Sequence, residues 1–159
     1  MFIYKYVVME NKTILLNGLQ EILSATFAGA EQHLVHATIN EYNGFPKLAQ
    51  RMRSEFEDEI SDTKILMNRI LDLGGIPNTK HQTLPIHLDV AKQLEQELTE
   101  QLIAIKRLEE LIALSENDGA TRMVFEDFLK DEDLHTRWLK QQISLMKNVG
   151  VANYLTTQI

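Results

Sequence analysis

Glu132 and His135 stand three residues apart in FLKDEDLHTRWL, and Glu59 and Asp62 stand three apart in EFEDEISD. Carboxylate oxygens and imidazole nitrogens are donors suited to iron, manganese and zinc. On a helix, residues three apart share a face one turn apart. Two such pairs facing each other across a bundle can surround a metal ion. A lone glutamate or histidine on a helix stripe is ordinarily a wedge or a snorkelling side chain. Two acid-bearing pairs at matched depth are harder to dismiss.

Helices must position these residues, and the sequence is punctuated accordingly. Only three prolines and seven glycines interrupt 159 residues. NGFP, Asn43 to Pro46, closes a helical stretch that begins at about Lys12, and Pro46 suits the first turn of the next helix. GGIPNTKHQTLP, residues 74–85, is the one long connection, while SENDG and NVG are short. Between the breaks lie four segments of about 27–30 residues, each about 40 Å long. VANYLTTQI leaves room for a short fifth helix. The expected fold is all-α: a four-helix bundle with the long link as a crossover.

The inward stripe of the first helix reads Leu15, Leu19, Ile22, Thr26, Gly29, His33. In the second it runs from Leu48 and Met52 through Glu55 or Phe56, Glu59, and Asp62 or Thr63 to Leu66, Ile70 and Leu73. The third gives Leu94, Leu98, Gln101, Ile105, Leu108 and Ile112, and the fourth Phe128, Glu132, His135, Leu139, Ile143 and Met146. Each helix is apolar toward its ends and polar near its middle. Thr26, Glu59, Asp62, Gln101, Glu132 and His135 are therefore expected at one level. Burying an unpaired carboxylate costs several kcal/mol, and three together repel. Either the carboxyls are protonated and share hydrogen bonds, or cations sit among them.

Composition removes other classes. Without cysteine there is no disulfide, thiolate metal site or cysteine nucleophile. A net charge of −7 argues against nucleic acid and agrees with handling cations. No apolar run approaches the roughly 18–20 residues that span a bilayer. MFIYKYVV lacks the long apolar region and cleavage site of a signal peptide, so residues 1–8 read as an extension before Met9, with a single cytoplasmic domain over residues 9–159.

LKDEDLHTRWL, RILDLGGIPN and VGVANYLTTQI carry a resemblance to bacterioferritins that extends over nearly everything from Met9 onward. The last two are specific, because a bundle alone demands neither GIPN nor NYL..QI. The resemblance implies a ferritin-like bundle in a cytoplasmic 24-subunit cage, oxidising ferrous iron at a di-iron site and storing the ferric product. It also implies haem at two-fold subunit interfaces. Position by position, the family's bridging glutamates fall on Glu59 and Glu132, and its fourth-helix histidine on His135. Its second-helix histidine falls on Asp62, its terminal glutamates on Thr26 and Gln101, its haem methionine on Ile60, and a tyrosine beside the site on His33.

Those departures set the functional expectation. Three carboxylates remain where the family has four, so affinity for a second metal should fall most. The expected ligands are Glu59, Asp62, Gln101, Glu132 and His135, with Glu59, Glu132 and His135 carrying ferroxidase chemistry if it survives. Non-haem iron or another divalent metal is the expected cofactor, and haem is not expected. His33, seven residues from Thr26, reads as a core histidine bonded to a neighbouring helix, able to join the site only by rearrangement. Tyr154, Leu155 and Ile159 are expected to bury together around a four-fold axis. The competing reading is a non-catalytic structural subunit, alone or with an active paralogue.

Overall fold

The computed structural model describes the backbone of residues 2–80 and 82–159, and the side chains of residues 11–80 and 82–159. The side chains of the expected extension, residues 1–8, lie outside the described residues. The helices are α1 (Phe2–Tyr42), α2 (Pro46–Asp72), α3 (Val90–Leu114), α4 (Gly119–Val149) and α5 (Val151–Thr156). No strand occurs among the described residues. The bundle, the crossover and the short fifth helix are as the sequence implies, although α1 begins well before Lys12.

Local chemistry sets the breaks. After α1, Gly44 adopts φ +83°, a conformation a side chain would strain, and Pro46 opens α2. The Asp89 carboxylate accepts the Lys92 N–H at 2.9 Å to start α3. Asp118 caps α4 by accepting the Thr121 N–H at 3.1 Å. The Arg69 guanidinium donates to both oxygens of that carboxylate, at 2.8 and 2.9 Å, which ties the end of α2 to the start of α4.

α1 packs chiefly on α2, and α3 on α4. Two apolar clusters form, one at each end. Leu19, Leu23, Leu66, Leu108, Leu111 and Phe125 lead the first. Leu48, Met52, Leu94, Leu139, Ile143 and Tyr154 lead the second. The helix segments between them carry the polar residues, so the expected layering holds. The described residues of the crossover, 73–80 and 82–89, lie along α1. Gln20 donates to the Ile76 carbonyl at 2.7 Å, Gln32 to that of Pro85 at 2.9 Å, and the His87 N–H donates to His36 Nε2 at 3.2 Å. Side chains thus satisfy the polar backbone of the irregular segment.

Three details differ from the expected faces. In α3 the fully buried line is Gln93, Leu94, Glu97, Leu108 and Leu111, so the helix is rotated relative to the Leu98–Ile105 stripe. In α2 the buried place offered to Asp62 or Thr63 goes to Thr63, and Asp62, expected in the polar layer, stands half-buried beside it. Tyr154 is already enclosed within its own chain, its hydroxyl 3.0 Å from Gln142 Oε1, while Ile159 is exposed. Tyr154 therefore belongs to the subunit core, and the expected four-fold cluster cannot include it.

Candidate metal centre

The polar layer is organised around Glu97, a residue the sequence reading passed over. Its Oε1 faces His135 Nε2 at 2.8 Å and also contacts His33 Nε2. His33 Nδ1 lies 2.8 Å from Glu59 Oε2, and His135 Nδ1 lies 3.1 Å from Glu55 Oε1. A chain of alternating carboxylates and imidazoles thus runs Glu59, His33, Glu97, His135, Glu55 across all four long helices. Arg51 pairs with Glu55, approaches His135 Nδ1 to 3.1 Å, and lies over the Trp138 ring, which stacks on His135. The other Glu97 oxygen, Oε2, is buried without a hydrogen-bond partner among the described residues.

Electrostatics follow from that chain. Burial alone would raise the Glu97 carboxyl, but the His33 charge and the bonds from both imidazoles hold it well below the usual range. Burial pulls His33 down, yet the charges of Glu97 and Glu59 raise it well above an ordinary histidine. For His135, burial is outweighed by the bonds to Glu55 and Glu97, which raise it to about 9. Glu132 lacks such a partner: burial, then the neighbouring Glu59 charge, push it up to about 7, although Gln101 donates to it. Burial likewise raises Asp62 to about 6, with Asp131 and Asp58 adding repulsion.

Two clefts reach this layer from opposite sides. One, between α1 and α3, is lined by Thr26, Gly29 and His33, with Gln82 and Leu84 of the crossover beside it. The other, between α2 and α4, is lined by Glu55, Asp58, Asp62 and Asp131, with Arg51 and His135. Glu59, Gln101 and Glu132 border both. The structure therefore gathers Glu59, Gln101, Glu132 and His135 in one layer and places Asp62 in the mouth of the acidic cleft. Thr26 is turned to its own helix, its hydroxyl donating to the Ile22 carbonyl at 2.9 Å.

His33 is the core histidine bonded to neighbouring helices that the sequence implies, but it reaches Glu59 and Glu97 without rearrangement, which corrects that part of the expectation. Distance along α1 from Thr26 was the wrong measure, because Glu59 and Glu97 lie at the level of His33 itself. Gly29, one turn earlier, gives Glu59 its room: a methyl group there would collide with Glu59 Oε1. The donor atoms of His33, Glu97 and His135 all lie within 4.8 Å of one another. Donors 2.0–2.2 Å from a first-row cation stand about 3–4 Å apart. The donor types therefore suit one cation, and the 2.8 Å hydrogen bond between His135 and Glu97 must open to that wider spacing when one binds. A complete two-metal site is not matched, since Thr26 and Gln101 are neutral.

Residues 16–149 match the family model of the ferritin-like domain. The bacterial ferritin of Neisseria meningitidis serogroup B is 31% identical over 154 residues, covering 95% of this chain and 100% of its own. The bacterioferritin of Streptomyces coelicolor is 30% identical over 154 residues, covering 95% and 92%. Among solved structures, Rhodobacter capsulatus bacterioferritin, with a metal-free dinuclear site and haem iron, superposes with a TM-score of 0.88 at 27% identity, covering 92% of this chain and 93% of its own. Mycobacterium tuberculosis bacterioferritin gives a TM-score of 0.89 at 27% identity, covering 92% and 94%. With a matching domain, matching length and a matching bundle, this chain belongs to the ferritin-like family, among the bacterial ferritins.

Proposed function

We propose that the chain is a subunit of a cytoplasmic iron-storing cage that takes ferrous iron as substrate into its polar layer. The supporting observation is a buried carboxylate–imidazole layer at mid-height of a bacterial-ferritin bundle, reached by an acidic cleft. Asp58, Asp62 and Asp131 offer the approach, and Glu59, Gln101 and Glu132 border the path to His135. Among the described residues no helix is long and apolar enough to cross a membrane.

Electron counting sets the expected activity. Two ferrous ions, one dioxygen and two protons give two ferric ions and one hydrogen peroxide. A site that holds one ion supplies one of the two electrons, so oxidation should be slow compared with a complete two-metal site. Haem should be absent, because Ile60 offers no ligand atom and stands exposed on α2. Exposed Leu71, Leu102, Ile103, Met123 and Leu134 leave apolar surface for contacts between copies.

The second reading is a non-catalytic cage subunit, alone or beside an active paralogue. Neutral Thr26 and Gln101 favour it. Native mass and iron content of protein purified from iron-replete cells separate the readings. Storage requires iron that co-elutes with a large assembly and exceeds one ion per chain. An iron-free cage that takes up no added ferrous ion supports the structural subunit, and a monomer or simple dimer rejects both.

A further inference from the structure

We infer that the tight cation seat is a mononuclear centre of two histidines and one carboxylate, His33, His135 and Glu97, displaced from the family's ligand positions. It deepens the iron-handling reading and names which side chains hold the ion.

Three independent observations carry it. Both imidazoles present Nε2 to the same carboxylate, at 2.8 Å for His135 and in contact for His33. Each imidazole has its other nitrogen facing a second carboxylate, His33 Nδ1 at Glu59 and His135 Nδ1 at Glu55. That pairing is how metal-bound histidines are ordinarily oriented: a proton on Nδ1 bonds the outer carboxylate and leaves the Nε2 lone pair for the ion. Finally, Glu97 Oε2 is a buried carboxylate oxygen with no partner among the described residues, on a side chain 2% exposed. A buried charge with an idle lone pair is costly, and a cation beside it removes the cost.

The donor set selects a chemical class. Two imidazoles and one carboxylate suit ferrous iron, zinc or cobalt and disfavour magnesium and calcium, which take oxygen ligands. Glu59 and Glu55 become orienting residues in this assignment. Glu132, which borders both clefts, is not one of the seat's ligands. Arg51 and Glu55 both approach His135 Nδ1 to 3.1 Å, and the guanidinium can donate to it only while that nitrogen carries no proton. Once an ion takes Nε2, Nδ1 must carry the proton, and Glu55 becomes its acceptor.

The test uses the assembled protein with zinc as probe, at one ion per chain. X-ray absorption at the zinc edge counts imidazole ligands through their outer-shell scattering. Two histidines are expected. One histidine would mean that Glu59, Glu132 and His135 hold the ion, and would overturn the assignment while leaving iron storage intact. Cobalt titration of variants gives a second readout through its visible bands. His33→Gln and Glu97→Gln should each weaken binding more than Glu132→Gln does, and Glu55→Gln should weaken it about 10–100-fold. The reverse order, or no tight site in the unaltered protein, rejects the centre. A two-histidine zinc seat in a protein that stores no iron would instead reject the storage reading alone.

Discussion

The rings of His33 and His135 lie 5.8 Å apart, centroid to centroid, at 88° to each other. One ring comes from α1 and the other from α4, and Glu97 of α3 sits between their Nε2 atoms. Two imidazoles that can each carry a proton are thus held beside carboxylates inside the bundle. In the metal-free protein those protons neutralise charges that cations would otherwise balance.

The arrangement makes the metal-free protein sensitive to base. His135 is raised to about 9, so its charged form adds stability that is complete below the unfolded value of 6.5 and lost as pH rises through 9. That contribution is on the order of a few kcal/mol per subunit. Glu132, raised to about 7, acts in the same direction, losing stability as pH rises through that value. Thermal unfolding of metal-free protein should therefore occur at a lower temperature at pH 9 than at pH 6. Saturating zinc, which binds the deprotonated ligands, should narrow the gap. A midpoint that is constant or rises with pH would contradict the buried ionic chain.

Gly29→Ala should disturb the site without touching a donor. The added methyl displaces the Glu59 carboxylate and breaks its bond to His33. Cation affinity should fall about tenfold, the worth of an outer carboxylate. The lost charge-assisted bond should cost roughly 1.5–3 kcal/mol of stability. Cobalt titration and thermal unfolding measure the two effects, and an unaltered affinity would show that Glu59 does not orient His33.

The layered fold was legible in the sequence because the α2 and α4 stripes carry large apolar residues at both ends, and the α1 stripe carries them at its start. The turns at Gly44, Asp89 and Asp118 follow from local chemistry that a few residues specify. Glu97 was not legible. In α3, Leu94, Leu98 and Ile105 form a credible inward line, and a glutamate adjacent to it counts as solvent-facing by default. Tertiary pairing overrides that default: two imidazoles at inward positions, His33 and His135, need a counter-charge. That need was the available signal. His33 was legible as a core histidine bonded to a neighbouring helix, but not as part of the layer, since depth along one helix says little about which partners the neighbouring helices bring alongside.

Restoring the family's ligand types should speed iron oxidation and weaken the metal-free fold. Thr26 and Gln101 both border the cleft beside Glu59 and Glu132. Thr26→Glu with Gln101→Glu and Asp62→His adds carboxylates for a second ion. Ferrous oxidation, followed by oxygen consumption, should accelerate by about tenfold or more, equivalent to about 1.4 kcal/mol in the barrier. The metal-free variant should unfold at lower temperature, because added buried carboxylates lack partners. Unchanged oxidation would mean that a second metal position does not limit the rate.

Haem should be missing from protein made in haem-replete cells, and no Soret band should be present. Ile60→Met supplies a thioether at an exposed position on α2 and should introduce one. A Soret band in the unaltered protein would place haem on ligands other than residue 60.

Iron anomalous scattering from crystals of the assembled protein soaked in ferrous salt without oxygen tests the polar layer as the seat of iron most directly. The account predicts one strong peak per subunit, within bonding distance of His33 Nε2, His135 Nε2 and the Glu97 carboxylate. Two full peaks bridged by Glu59 and Glu132, or no peak in the layer at all, would contradict it.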